Sequence, residues 1–258
     1  MKIVVLLKMV PDVVEELEVA SDGKSLNTEF LRMILSERDS HALEEALLLK
    51  EKHGGTVTVV APEAPEVDDV LYTALAKGAD RAVKVPLSPS QSSRAVAALL
   101  GKALPVVPDL LPADLILTGC QAIDDLDGMT APLLAHTWKL PYLGLVTSIT
   151  PDAAGATARV LKEYSGGTHG EFEVRLPAVL GVQSAQQPPR YVPVAKVRAA
   201  MKMQKIETVE LQDSAAVPSV EILTMAKPEA AGHAEMLEGS PQQVAEKMCQ
   251  VLAAHGVT

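Results

Sequence analysis

Four apolar runs recur along the first half of the chain: KIVVLLK at 2–8, TVTVVAP at 56–62, RAVKVP at 81–86 and DLILTG at 114–119. Each is too short for a typical buried helix, and a short apolar run of this kind suits a strand covered on both faces. Helical patterns fill the intervals. In SERDSHALEEALLLKEKHGG the stripe Ala42, Leu43, Ala46 and Leu47 predicts a helix with Asp39 or Ser40 as N-cap and Gly54-Gly55 as its end. VDDVLYTALAKGAD puts Val67, Leu71, Ala74 and Leu75 on one face behind Asp68 and Asp69, and stops at Gly78. SQSSRAVAALLGKALP predicts a third helix ending before Pro105. Strands alternating with helices predict an α/β fold with a doubly wound, mostly parallel, Rossmann-like sheet.

Two stretches break this rhythm. Between residues 8 and 30, the alternation LEVA and the turn SDGK predict a small β excursion. After Pro141 the period falls to two, so LGLVTSITPD, ATARVLKEYS, HGEFEVRLPA and AVLGVQ read as strands joined by turns at Pro151-Asp152 and Gly166-Gly167. These predict antiparallel additions to the sheet. Beyond QQPPRY the segment RYVPVAKVRAAMKMQKIETVEL alternates little and reads as an extended arm outside the core. The end, SPQQVAEKMCQVLAAHG, reads as a helix with Ser240 as N-cap, Pro241 as first residue, and Val244, Met248, Val251 and Leu252 on one face. The expected division is an α/β domain at 1–190 and an arm plus C-terminal helix at 191–258.

Composition agrees with the pattern. Hydrophobic residues make up 48% of the chain but aromatics only 3%, so the core must be Val, Leu, Ile and Ala, as parallel sheets prefer. A length of 258 residues suits one large domain with an extension. The net charge of −10, with no basic cluster among aromatics, opposes binding to nucleic acid or anionic membranes. The apolar runs are too short for a membrane span. Cys120 and Cys249 lack CxxC spacing, so neither a zinc site nor a disulfide framework is expected, and a reducing compartment fits. The six histidines show no HxxxH or HExxH spacing, and no metal site or catalytic residue is expected.

The stretch after DLILTG carries the candidate chemistry. A buried strand ending in Gly119, then an acidic glycine-bearing loop, then a helix near Thr130, is where open α/β sheets bind nucleotides. Backbone N–H groups near Gly119 and at the helix start would hold a phosphate. An acidic surface turn is the equal alternative, because Asp124, Asp125 and Asp127 would repel phosphate unless their side chains point away.

Six motifs in order carry a family resemblance: LLKMVPD at 6–12, DSHALEEAL at 39–47, TALAKGADRA at 73–82, GCQAIDD at 119–125, LPAVL at 176–180 and PPRY at 188–191. Together, over roughly residues 1 to 205, they resemble the electron transfer flavoprotein beta subunit. The resemblance implies an adenine nucleotide alpha hydrolase-like form of the Rossmann-like sheet and an electron carrier subunit rather than an enzyme. It implies pairing with an alpha subunit that holds most of a redox-active FAD, and an AMP bound structurally by the beta subunit. The implied partners are a dehydrogenase as electron donor and a quinone-reducing or other acceptor, in the cytoplasm or, in a eukaryote, the mitochondrial matrix. Carried over by position, the AMP contacts are Leu6; Ser36, Glu37, Arg38 and Asp39; Pro62; and the loop Gly119, Cys120, Gln121, Ala122, Ile123, Asp124, Asp125, Leu126, Asp127, Gly128, Met129 and Thr130.

The chain departs from the family pattern at three places. Ser36 and Arg38 stand where an Asn and an aromatic are usual, and LDGMTAP after Asp125 follows neither the common AMP type nor the electron-bifurcating type, which binds a second FAD. Gln186 falls where the family's recognition loop carries an anchoring leucine. AMP is preferred to a second FAD. A nucleotide-binding regulatory domain is the alternative from another class. Arg190 reads as structural or interfacial, Cys120 as packing, and Lys196, Arg198, Lys202 and Lys205 as an interface strip.

Overall fold

The computed structural model describes residues 1–87, 92–209, 220–228 and 234–257. Along the chain come β1 (Lys2–Leu6), β2 (Met9–Pro11), β3 (Met33–Leu35), α1 (Glu37–His53), β4 (Thr56–Pro62), α2 (Val67–Lys77), β5 (Arg81–Val85), α3 (Ser93–Ala103), β6 (Leu115–Gly119) and α4 (Thr130–Trp138). They are followed by β7 (Tyr142–Pro151), β8 (Thr157–Glu163), β9 (His169–Arg175), β10 (Ala178–Val182), α5 (Val194–Met203), β11 (Ile206–Thr208) and α6 (Pro241–Ala254).

The large sheet has the order β11-β5-β4-β1-β6-β10-β7-β8-β9. Its centre is parallel, with Ile3 opposite Val57 on one side and opposite Leu115 on the other. The expected α/β, mostly parallel architecture is what forms. Period-two alternation divides the strand residues between two layers. Ile3, Val5, Leu115 and Leu117 face a core shared with Leu43, Leu47 and Leu71 of α1 and α2. Val4, Val60, Val83 and Ile116 face another shared with Leu100 of α3 and Leu134 of α4. Both faces of the central strands are buried, which is why the runs read as continuous apolar segments.

Of the β excursion expected at 8–30, LEVA and SDGK form an isolated bridge, Val19 to Leu26, while β2 forms its ladder with β3, just past that stretch. The two-period segments β8 and β9 extend β7 antiparallel, as expected. β10 differs: it lies between β6 and β7 and is parallel to both. All five of its residues are buried, so its brief alternation in sequence did not reflect an exposed face.

Two further differences are local. α1 begins from Ser36 rather than Asp39 or Ser40, because the Asp39 carboxylate serves neighbouring strand ends instead of its own helix. Part of the expected extended arm is regular: α5 packs on α2, and β11 pairs with β5 at the sheet edge. Only Ala200 of α5 is buried, a stripe too narrow to stand out among its lysines. Residues 210–219 and 229–233 of the expected arm lie outside the described residues. α6 has the expected start, with Ser240 and Gln243 closing a capping box, and buries none of its side chains.

Candidate functional site

From β1 the chain winds outward through β4 and β5, then returns to β6 on the opposite side of β1. The carboxyl ends of β1 and β6 therefore bound a topological switch point, where connections diverge and leave room for a ligand. A crevice lined from both strand ends opens there. Leu6, Leu7 and Lys8 line it from the end of β1, Asp39 from α1, and Pro62 from the end of β4. Ser93, Val96 and Leu100 of α3 form another wall. Thr118 and Gly119, the loop residues Cys120, Gln121, Ala122, Asp125, Asp127 and Gly128, and Thr130 and Ala131 of α4 complete it.

Asp39 fixes the floor. One carboxylate oxygen accepts the N–H of Gly119 at 2.6 Å and the other accepts the N–H of Lys8 at 2.9 Å. One buried side chain thus holds the ends of β1 and β6 together. Burial pushes its carboxyl up to about 7, opposed by the two N–H donors and the Lys8 charge. Gly119 is required by this approach, since a Cβ there would lie 2.6 Å from the Cβ of Arg38 and 2.7 Å from the Asp39 oxygen.

The acidic loop is braced from within and from outside. Gly128, at φ +59°, brings its backbone so near the Cys120 carbonyl that a Cβ would sit 2.7 Å away. The Gln121 amide donates to the Leu126 carbonyl at 2.7 Å, and Asp127 accepts the Met129 N–H at 2.9 Å. Lys8 Nζ reaches Asp124 at 2.7 Å and Asp125 at 2.6 Å, while the Ser93 hydroxyl donates to Asp125 at 2.9 Å. Burial alone would lower the Lys8 pKa, but the hydrogen bonds and charges of both aspartates hold it above the usual value. No side chain caps the start of α4 beside the loop.

Leu6, Asp39, Pro62, Gly119, Cys120, Gln121, Ala122, Asp125, Asp127, Gly128 and Thr130, expected at the site from sequence, meet in the crevice. The others do not line it. Ser36 is buried and donates its N–H to the Lys8 carbonyl, Glu37 is exposed, and Arg38 donates to the Gln183 carbonyl at 2.8 Å. Asp124 engages Lys8, and Ile123, Leu126 and Met129 are exposed. Cys120 packs beneath the loop with its sulfur 2.9 Å from Gln183 Oε1, and burial pushes its thiol up. Sequence reasoning missed Leu7, Lys8, Ser93, Val96, Leu100, Thr118 and Ala131. Lys8 carried a signal: a lone amine closing an apolar strand, in a chain whose loop has adjacent aspartates.

A second polar assembly joins α1 to the segment after β10. Buried Glu45 accepts N–H bonds from Ile149 at 3.2 Å and Gln186 at 3.1 Å, and the Gln186 side-chain amide at 2.9 Å. Arg190 donates through Nε and Nη2 to buried Glu44 at 2.9 and 2.8 Å and also engages Glu51. These hydrogen bonds hold the Arg190 pKa above its usual value. Arg190 is thus tied into the fold.

The electron transfer flavoprotein domain family matches residues 26–215. Over 262 residues, covering 98% of each chain, the sequence is 31% identical to the electron transfer flavoprotein subunit beta of Methylophilus methylotrophus. It is 28% identical to that of Bacillus subtilis over 261 residues, 98% of this chain and 97% of the relative. For the Homo sapiens subunit the identity is 28% over 214 residues, 83% and 82% of the two chains.

Proposed function

The chain belongs to the electron transfer flavoprotein family, as a beta subunit, and from that premise we propose that it binds AMP in the switch-point crevice and completes the FAD site of an alpha subunit. The pair would carry electrons from a dehydrogenase to a quinone-reducing or other acceptor, in the cytoplasm or, in a eukaryote, the mitochondrial matrix. The observation that carries the AMP reading is the closed acidic loop over an otherwise apolar crevice. Leu6, Pro62, Val96 and Leu100 offer a dry surface for a base. Asp124 and Asp125 are engaged by Lys8, and Asp127 by its own loop, so the expected repulsion of phosphate is reduced. The Gly128 backbone and the uncapped start of α4 are the groups that would hold the phosphate, since the Gly119 N–H is already given to Asp39.

Bound FAD supplies the redox chemistry, and this chain acts as a carrier subunit that positions and shields it. Residues 1–190 would hold the nucleotide. Within 191–258, α5 packs on α2, β11 extends this chain's own sheet, and α6 offers its uncovered apolar face to the alpha subunit. Gln186, where the resemblance places an apolar anchor, is instead tied to Glu45, so the donor would not be docked as the usual acyl-CoA dehydrogenase is.

Co-purification with an alpha-type partner, a visible spectrum, and identification of the nucleotides released by denaturation test this reading. A flavin spectrum with a single FAD and one AMP per heterodimer is expected. A second FAD in place of AMP would instead favour the electron-bifurcating form. A colourless chain that recruits no flavin-bearing partner would overturn electron transfer in favour of a nucleotide-binding regulatory domain.

A further inference from the structure

Lys8 is the one cation among the described residues lining the crevice. It extends from the chain just past β1, yet its amine binds two carboxylates of a loop more than a hundred residues later, Asp124 at 2.7 Å and Asp125 at 2.6 Å. Asp125 is also held at 2.9 Å by the Ser93 hydroxyl, from the first residue of α3. Three separate elements therefore meet at one carboxylate pair. The geometry fits two tasks: keeping the loop folded over the crevice, and offsetting its negative charge where an anionic ligand would lie.

We propose that Lys8 is a positioning residue of the nucleotide site, which latches the 121–129 loop through Asp124 and Asp125 and makes it tolerant of a phosphate. The second task rests on the AMP reading above; the latch does not. Without the amine, two neighbouring carboxylates a few ångströms apart repel each other and any phosphate near them. The amine acts through the aspartates, because its hydrogen bonds are already directed to them. Ser93 gives Asp125 a neutral second donor that fixes its orientation.

Titrating the full chain with AMP and with adenosine, alongside amide hydrogen exchange of residues 121–129, tests both tasks. Lys8→Met is expected to weaken AMP by about tenfold, the ratio corresponding to about 1.4 kcal/mol, and adenosine by much less. Lys8→Arg should retain most AMP affinity. The triple variant Lys8→Met/Asp124→Asn/Asp125→Asn, which removes the charges together, should recover AMP binding relative to Lys8→Met. Exchange in the loop should accelerate in Lys8→Met and not in Lys8→Arg.

Equal losses for AMP and adenosine, or no recovery in the triple variant, would overturn the charge-offsetting role. Unchanged loop exchange in Lys8→Met would overturn the latch. If the wild-type chain bound neither ligand, the AMP reading and the phosphate task would fall with it, while loop exchange would still decide whether Lys8 holds the loop. Lys8→Arg, which preserves the charge, guards against a global folding defect: if it too lost loop protection with the rest of the chain intact, the latch would be refuted.

Discussion

Helices α1 and α6 both present an apolar stripe in sequence, but their fates differ. α1 buries Ala42, Leu43, Ala46, Leu47 and Leu49, and with them the acids Asp39, Glu44 and Glu45. Each acid has donors from far along the chain: Lys8 and Gly119 for Asp39, Arg190 for Glu44, Ile149 and Gln186 for Glu45. α6 has a capping box at its start but leaves Met248, Val251 and Leu252 at 51%, 50% and 42% exposure. The stripe chooses the inward face, whereas distant donors determine whether the polar flanks can be buried as well. α1 is fixed by the whole domain, and α6 by its own first turn.

The largest test strands one buried acid of α1. Arg190→Met should lower stability by about 3 kcal/mol, the low end expected when one partner of a buried pair is removed. A shift in the urea midpoint measures it, and a loss below about 1 kcal/mol would place the pair with ordinary surface ion pairs. Asp39→Asn comes next, at about 2 kcal/mol, since an amide offers one acceptor where two N–H groups need partners. It also has a pH signature. With the Asp39 carboxyl raised from 3.8 to about 7 in the folded chain, the folded state holds a proton that the unfolded state has released between those values. Its contribution therefore makes wild-type stability fall as pH rises across that window and stay level above it. Asp39→Asn should remove that slope in unfolding curves, and an unaltered slope would assign it to another group.

The α6 side of the comparison predicts smaller effects. Ser240→Ala should cost about 1 kcal/mol, confined to α6: amide exchange of residues 241–254 should quicken while the global urea midpoint stays put. A concerted drop in both would mean that α6 is coupled to the domain after all. Met248→Lys should change the stability of the isolated chain by less than about 0.5 kcal/mol, yet weaken its association with an alpha partner measured by titration. Unchanged association would remove α6 from the proposed interface.

The same contrast explains what could be read from sequence. The central strands were legible because residues such as Val4 and Val5 are buried on opposite faces and leave no polar positions in the run. The place of β10 was not, because parallel pairing with Leu115–Gly119 and with β7 depends on partners far away rather than on its own five residues. α5 was missed because its contact with α2 needs only Ala200 and close neighbours. At the site, Gly119 and the acidic loop were marked by local chemistry. Lys8 and Ser93 were not assigned, since their roles exist only once β1, α3 and the loop have been brought together. Asp39 was marked as a contact and a helix cap, but its link between two strand ends is a property of the sheet.

The position of β10 also governs the order in which the molecule can come into being during synthesis. β1 can find β4 once Pro62 has been made, but it has no neighbour on its other side until β6, and β6 keeps an open edge until Val182. While β7, β8 and β9 are being added, a growing chain carries an apolar strand edge of the kind that recruits other chains. The switch-point crevice is thus among the later parts of the fold to be completed, although Leu6, which lines it, is made long before Val182.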